Sequence, residues 1–260
     1  MITISFVNVF LALLLLAVPG YMLFSYDRLS VGKAALSMVR MLVQLSVMGG
    51  LLWLLYHYDS LWLSLLWLLL LVVAAAFLMV SRTRVRSKVL FVPACVSMFV
   101  SVLAVSAYLL YGVLGVPDPW AAQWFVPVTG VLMAHVLTTN ISAVRTYFDS
   151  LRQDSQPYLT MLGNGASRRQ ALAPYLTRAL KSLTVPMIAN LSVMGLFVMP
   201  MLLSGLLLGG VSPVNAVFVF VAMAFGCCTV SVLSLILILW LSDRKVFTQQ
   251  GPLADIFTAA

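Results

Sequence analysis

The chain has 260 residues, 63% of them hydrophobic and only 8% charged, with a mean hydropathy of +1.08. A soluble domain carries about 25% charged residues, so this composition excludes a soluble globular fold and predicts an all-α integral membrane protein. The net charge of +8 does not point to nucleic acid, because the basic residues lie between apolar runs, where Lys and Arg set membrane topology.

A helix rises 1.5 Å per residue, so about 20 apolar residues cross a hydrocarbon core of about 30 Å. Seven stretches reach that length: 3–24, 34–57, 61–80, 89–112, 124–146, 183–208 and 214–241. They are continuously apolar and lack the alternation of barrel strands. The first has no basic segment ahead of it and reads as a span, not as a removable leader. The second carries Arg40 and, one turn on, Gln44. An Arg this near a span end can snorkel to the headgroups or line the inner mouth of a pathway.

Apart from Arg40, the cations lie in alternate connections and the tail. Arg28 and Lys33 occupy the first, Arg82, Arg84, Arg86 and Lys88 the third, and Arg145, Arg152, Arg168, Arg169, Arg178 and Lys181 the fifth; Arg244 and Lys245 lie in the tail. The intervening connections, "HYDS", "GVPDPWAAQ" and "GGVSP", hold no Lys or Arg. Lys and Arg are retained in the cytoplasm, so the N-terminus is predicted outside and the C-terminus inside, in a multi-pass protein of a bacterial inner membrane.

All seven acids are Asp, and none lies near the middle of a span. Proton- or cation-driven carriers place ionisable groups there, and an intramembrane hydrolase built on paired carboxylates needs them as well. Cys95, Cys227 and Cys228 all lie in apolar runs, which predicts free thiols. No His or Cys partners stand at metal-ligand spacing, so the residues name no metal site. A phosphate loop also fails: around Gly32-Lys33 the position for the first Gly is Asp27, and the residue after the Lys is Ala34. The chain is therefore predicted to bind no cofactor and to be no enzyme itself; any ATP would be hydrolysed on another polypeptide.

In the fifth span, His135, Thr138, Thr139 and Ser142 fall at i, i+3, i+4 and i+7, a single polar stripe facing other helices or a cavity. Asn140 falls on a different face and reads as a packing residue. The longest polar connection, about 147–182, follows, and contains "MLGNGASRRQALAPY". Pro157 can start a short helix. Gly163-Asn164-Gly165 offers two left-handed stop positions, and Ser167 with Gln170 fits a capping box. Pro174 suits a new first turn, so the reading is a short helix over 168–173 and a second helix from Pro174 into the sixth span. Gly163, Gly165, Ser167, Arg168 and Arg169 are candidates for docking a cytoplasmic partner; the plainer alternative is a solvated loop at the headgroups. Pro186 and Pro200 divide the sixth stretch and mark hinges on the pathway. Met194, Met199 and Met201 cluster near Pro200. Gly205 and Gly209 form a G-x-x-x-G packing motif.

"GNGASRRQALAPYLTRALKSLTVP" resembles the cytoplasmic coupling loop of ABC transporter permeases, and "MPMLLSGLLLGGVSP" is similar to the L-P-G-M-M-T-G-Q-I-L-G-G-x-x-P pattern of the FetB-like permease family. Pro200, Gly205, Leu208, Gly209, Gly210 and Pro213 carry the match, with Ser204 in place of Thr; "RMLVQL" adds Arg40 and Gln44. Met201 stands where the pattern has Gly, Leu206 where it has Gln, and no Glu precedes the Gly-Ala-Ser of the loop. The resemblance implies the permease subunit of an exporter for iron or another metal. It would act as a homodimer with a separate cytoplasmic ABC ATPase, with Arg40, Gln44, His135, Thr138, Thr139, Ser142 and Pro200 toward the pathway. Two other classes fit the composition: a membrane enzyme or assembly factor acting on lipid-linked substrate, and a stand-alone channel or secondary transporter.

Overall fold

The computed structural model describes residues 28–83, 85, 87–193, 205–207 and 209–248. The predicted first span, Pro200, Ser204, Leu208, Met194, Met199 and Met201 lie outside them. Helix α1 is Arg28–Tyr58, α2 Leu61–Thr83 and α3 Ser87–Ala107; α3 continues as a wide π-type turn over Tyr108–Val113. Then come α4 (Ala122–Gln153), α5 (Ser155–Gly163), α6 (Arg168–Val193) and α7 (Pro213–Thr248). Five stretches among the described residues are long and apolar enough to cross a membrane: Leu36–Tyr58, Leu61–Thr83, Leu90–Val113, Ala122–Gln153 and Pro213–Asp243. They coincide with five of the seven stretches read from the sequence. Part of the sixth stretch, 194–204 and 208, lies outside the described residues.

The chain divides into two compact units, Met1–Tyr58 and Asp59–Ala260. In the first, α1 places Arg40 and Gln44 one turn apart on one face. His57 stacks on Trp53 near the helix end, with ring centroids 5.2 Å apart and planes 6° from parallel. Aromatic side chains of this kind suit the membrane–water interface.

The second unit is a bundle of α2, α3, α4, α6 and α7 around one core that includes Leu68, Met98, Leu132, Tyr147, Leu183 and Leu235. Lipid is as apolar as Leu, so helices in a membrane associate through close packing of small residues and interhelical hydrogen bonds. The bundle uses both. Ala76, Ala94, Ala143, Ala179 and Ala216 are fully buried. A Cβ on Gly226 of α7 would fall 2.5 Å from Leu109 Cδ1, so any side chain there would force the Leu109 tip to move. Ser97 and Ser101 of α3, fully buried, satisfy their hydroxyls on carbonyls one turn back, at 2.7 Å and 2.6 Å.

Asp59 ties the second unit together at one end. Its backbone has a positive φ of 35°, which Asp tolerates better than most residues. Its carboxylate accepts the Ala122 backbone N–H at 2.7 Å, capping α4 from 63 residues away. α4 has no cap of its own, since residue 121 is Ala.

Two local expectations are corrected. No break separates 168–173 from Pro174, because α6 runs unbroken from Arg168 through both Pro174 and Pro186. Both prolines are on exposed faces; each removes one backbone donor, and the tertiary contacts of Ala171, Leu172, Tyr175 and Ala179 on the opposite face hold the helix together. The short helix of the connection is instead α5, with Pro157 in its first turn.

Candidate functional site

The connection between α4 and α6 is a folded hook. α4 has 32 residues, about 48 Å at 1.5 Å per residue, well beyond an apolar core of about 30 Å. Its last turns, which include Arg145, Asp149 and Arg152, therefore project past the span and carry α5 outward. α5 ends in a Schellman turn: Ala166 N–H donates to the Met161 carbonyl and Gly165 N–H to the Leu162 carbonyl, both at 3.0 Å. Gly165 takes the left-handed position with φ +82°. Gly163, read above as a second left-handed stop, is instead the last residue of α5, followed by Asn164 at φ −78°. One left-handed residue suffices to close this turn.

α6 then starts with the expected capping box. The Gln170 side-chain oxygen accepts the Ser167 backbone N–H at 2.9 Å, and Ser167 Oγ accepts the Gln170 N–H at 3.4 Å. The hook is braced from below. Tyr158 of α5 and Tyr175 of α6 are 2% and 4% exposed and meet edge to face at 6.5 Å. The Tyr175 hydroxyl donates to the Asp154 carbonyl at 2.8 Å, and Arg178 pairs with the Asp154 carboxylate. Burial pushes the Tyr158 hydroxyl above the usual phenol range; nearby Arg168 pulls it down and Asp243 pushes it up. The tip, Asn164 to Gln170, stays largely exposed.

Arg168 and Arg169, adjacent in sequence, part company in the structure. Arg169 is exposed at the tip. Arg168, although also exposed, reaches across to α7 and donates from Nη2 to the Asp243 backbone carbonyl at 2.7 Å. The Asp243 carboxylate in turn accepts the Tyr147 hydroxyl of α4, at 2.9 Å and 3.1 Å. Tyr147 is 1% exposed. Neither Asp243 nor Tyr147 stands out in the sequence, because a lone Tyr and a lone Asp separated by 96 residues leave no local pattern.

From that node a seam of hydrogen bonds climbs between α4 and α7. Asn140 Nδ2 donates to Ser234 Oγ at 3.0 Å. Thr139 Oγ1 lies 3.2 Å from Ser231 Oγ and 2.8 Å from the His135 carbonyl, so one proton serves two acceptors. The paired residues are 92, 94 and 96 apart along the seam. A near-constant offset means that α4 and α7 run parallel, side by side.

The structure thus brings one member of the predicted stripe, Thr139, to another helix. Thr138 and Ser142 are exposed and His135 is half-buried; the Thr138 hydroxyl bonds to carbonyls of its own helix, at 2.9 Å to His135 and 3.1 Å to Ala134. Asn140, read as packing, is fully buried and supplies a main interhelical bond. Ser231 and Ser234, three apart on α7, were the available signal for the partner face.

The other end of the α4–α7 pair opens into a cleft of about 700 Å³, between the first turns of both helices and the Gly205–Val211 turn. Its walls include Trp124, Pro127, Val131 and Phe218, with amides only from Gln123 and Asn215. Gly205 and Gly209 belong to this turn: Gly209 N–H donates to the Gly205 carbonyl at 3.0 Å, and Gly210 ends it at φ +85°. No side chain lies within 4 Å of a Cβ built at Gly205. Among the described residues, no three His, Cys, Asp or Glu side chains converge as a metal site would require.

A family model matches residues 6–247, nearly the whole chain. The chain belongs to the uncharacterised protein family UPF0014. It is 28% identical over 214 residues to "UPF0014 membrane protein slr1647" of Synechocystis, covering 82% of this chain and 83% of that one. It is 25% identical over 253 residues to "Probable iron export permease protein FetB" of Escherichia coli, covering 95% and 94%. It is also 26% identical over 215 residues to "Protein ALUMINUM SENSITIVE 3" of Arabidopsis thaliana, covering 80% and 76%. No solved structure matches the chain. The protein is a multi-pass helical membrane protein of a family that includes a permease, in keeping with the resemblance drawn from its motifs.

Proposed function

We propose that this chain is the membrane-spanning permease subunit of an ABC-type exporter, driven by a separate cytoplasmic ATPase that grips the α5–α6 hook. The observation that carries the reading is the hook itself. A Schellman turn closes one side of it and a capping box the other, two buried tyrosines brace it, and its tip is exposed. A solvated headgroup loop has no need of a turn specified at both ends. A surface that must receive a push does, since a floppy contact absorbs displacement. The excess of Lys and Arg in this connection supports a cytoplasmic position, where ATP is found.

ATP would be bound and split by the partner; this chain would turn the partner's closure into a change of access along its own helices. A second copy of the chain completes the transport unit. The relative named as a probable iron export permease favours a metal cargo. With no converging ligand set among the described residues, such a cargo would pass without a dehydrated site built from those residues.

The docking reading is tested by Arg169→Asp, which reverses an exposed charge at the tip and leaves Arg168 on Asp243. The altered chain should retain markedly less ATPase on co-purification from native membranes while keeping its own thermal stability. Equal recovery of the ATPase would remove the tip from the interface. A single cysteine at Asn164, labelled from outside sealed cells, would overturn the assigned topology.

A further inference from the structure

The hook touches α7 through an atom that does not belong to the hook's own brace: Arg168 holds the Asp243 carbonyl, and the Asp243 side chain holds Tyr147. Those two bonds join three elements, α6, α7 and α4, at one residue. Above them α4 and α7 are bolted in parallel by Asn140–Ser234 and Thr139–Ser231. Their far ends form two walls of the cleft; Leu114 and Val116, after the π-type turn, and the Gly205–Val211 turn, all outside the two helices, complete it.

We propose that Tyr147, Asp243 and Arg168 form a transmission node that converts displacement of the hook into movement of α4 and α7 as one body, changing the width of the cleft at the other end. The proposal rests on the docking reading above and names the residues that connect its two ends. Arg168 delivers the displacement to the α7 backbone. Asp243 passes it to α4, so that α7 does not slide alone. The seam keeps the pair in register, although Tyr147 and Asp243 stand 96 residues apart in the sequence. Tyr147 and Asp243 are positioning residues; nothing places them on the cargo.

The test uses the full chain in lipid nanodiscs with the ATPase that co-purifies with it. Spin labels at Trp124 and Leu207, in a background lacking the three native cysteines, report cleft width; labels at Trp124 and Val214 report the α4–α7 spacing. A non-hydrolysable ATP analogue should shift the first distance and leave the second unchanged. Tyr147→Phe deletes one hydroxyl from a buried ring and leaves its packing. It should retain the ATPase as the unaltered chain does. The loss of a hydrogen bond to a charged acceptor should weaken the nucleotide-driven shift by about tenfold in the population ratio. Asp243→Asn keeps an acceptor for Tyr147 and should preserve the shift; Asp243→Ala should abolish it. A purely structural role would lower thermal stability but leave the shift per bound nucleotide intact, and that result overturns the proposal. So does an unchanged shift in Tyr147→Phe, or a change in the Trp124–Val214 distance. If the unaltered chain retains no ATPase, the docking reading falls first and the node falls with it; retention without a shift removes the node alone.

Discussion

The two glycines of "GNG" should respond oppositely to the same substitution. Gly165 has φ +82° and Gly163 is helical; a Cβ would meet no atom within 4 Å at either position. Steric crowding is therefore equal, and only the backbone distinguishes them. An L-residue in the left-handed region costs about 1–2 kcal/mol, so Gly165→Ala should favour opening of the α5–α6 turn by about five- to thirtyfold. Gly163→Ala replaces the most flexible residue at a helical position and should be neutral or stabilise by up to about 0.5–1 kcal/mol. Gly165→Asn should fall between, because Asn enters the left-handed region more readily. Hydrogen exchange of the Gly165 and Ala166 amides, which close the Schellman turn, reads this opening directly. Exchange that speeds equally in both alanine variants, or more in Gly163→Ala, would refute the assignment of the turn.

Other regions of the fold give further tests. Asp59→Ala removes the cap of α4 and should cost about 0.5–2 kcal/mol, whereas Asp59→Asn keeps both an acceptor and tolerance of positive φ; thermal unfolding in detergent separates them. Gly226→Val drives a side chain into Leu109 and should destabilise by about 1–3 kcal/mol, read by the same melt. Ser234→Ala strands a buried Asn140 amide at a cost of about 1–3 kcal/mol. Ser234→Ala combined with Asn140→Leu should recover part of that loss, and a double-mutant cycle measures the seam; strict additivity would mean that the two side chains do not interact.

Local chemistry was legible wherever one short stretch contains both partners. Ser167 and Gln170 are three apart, and their capping box formed as read. Gly165 closes a turn six residues long, Met161 to Ala166. Pro174 shows where such reading stops. A proline taken alone argues for a helix start, yet buried Ala171, Tyr175 and Ala179 hold α6 continuous through it. The stripe from His135 to Ser142 had correct spacing, but spacing cannot say which neighbour a face will meet. Thr139 bonds across to α7, and so does Asn140, from a different face of the helix by sequence.

Composition alone puts this protein in a bilayer and sets the length its spans need, and the placement of its cations predicts the topology. These follow from the transfer of single residues between water and lipid, a property each residue carries alone. Three-dimensional packing was needed to show that Arg168 reaches α7, that Asp59 caps a helix 63 residues away, and that Tyr147 meets Asp243. Such pairings depend on which helices lie side by side and in which direction. That is settled by many small contacts acting together, which no short segment of the chain contains.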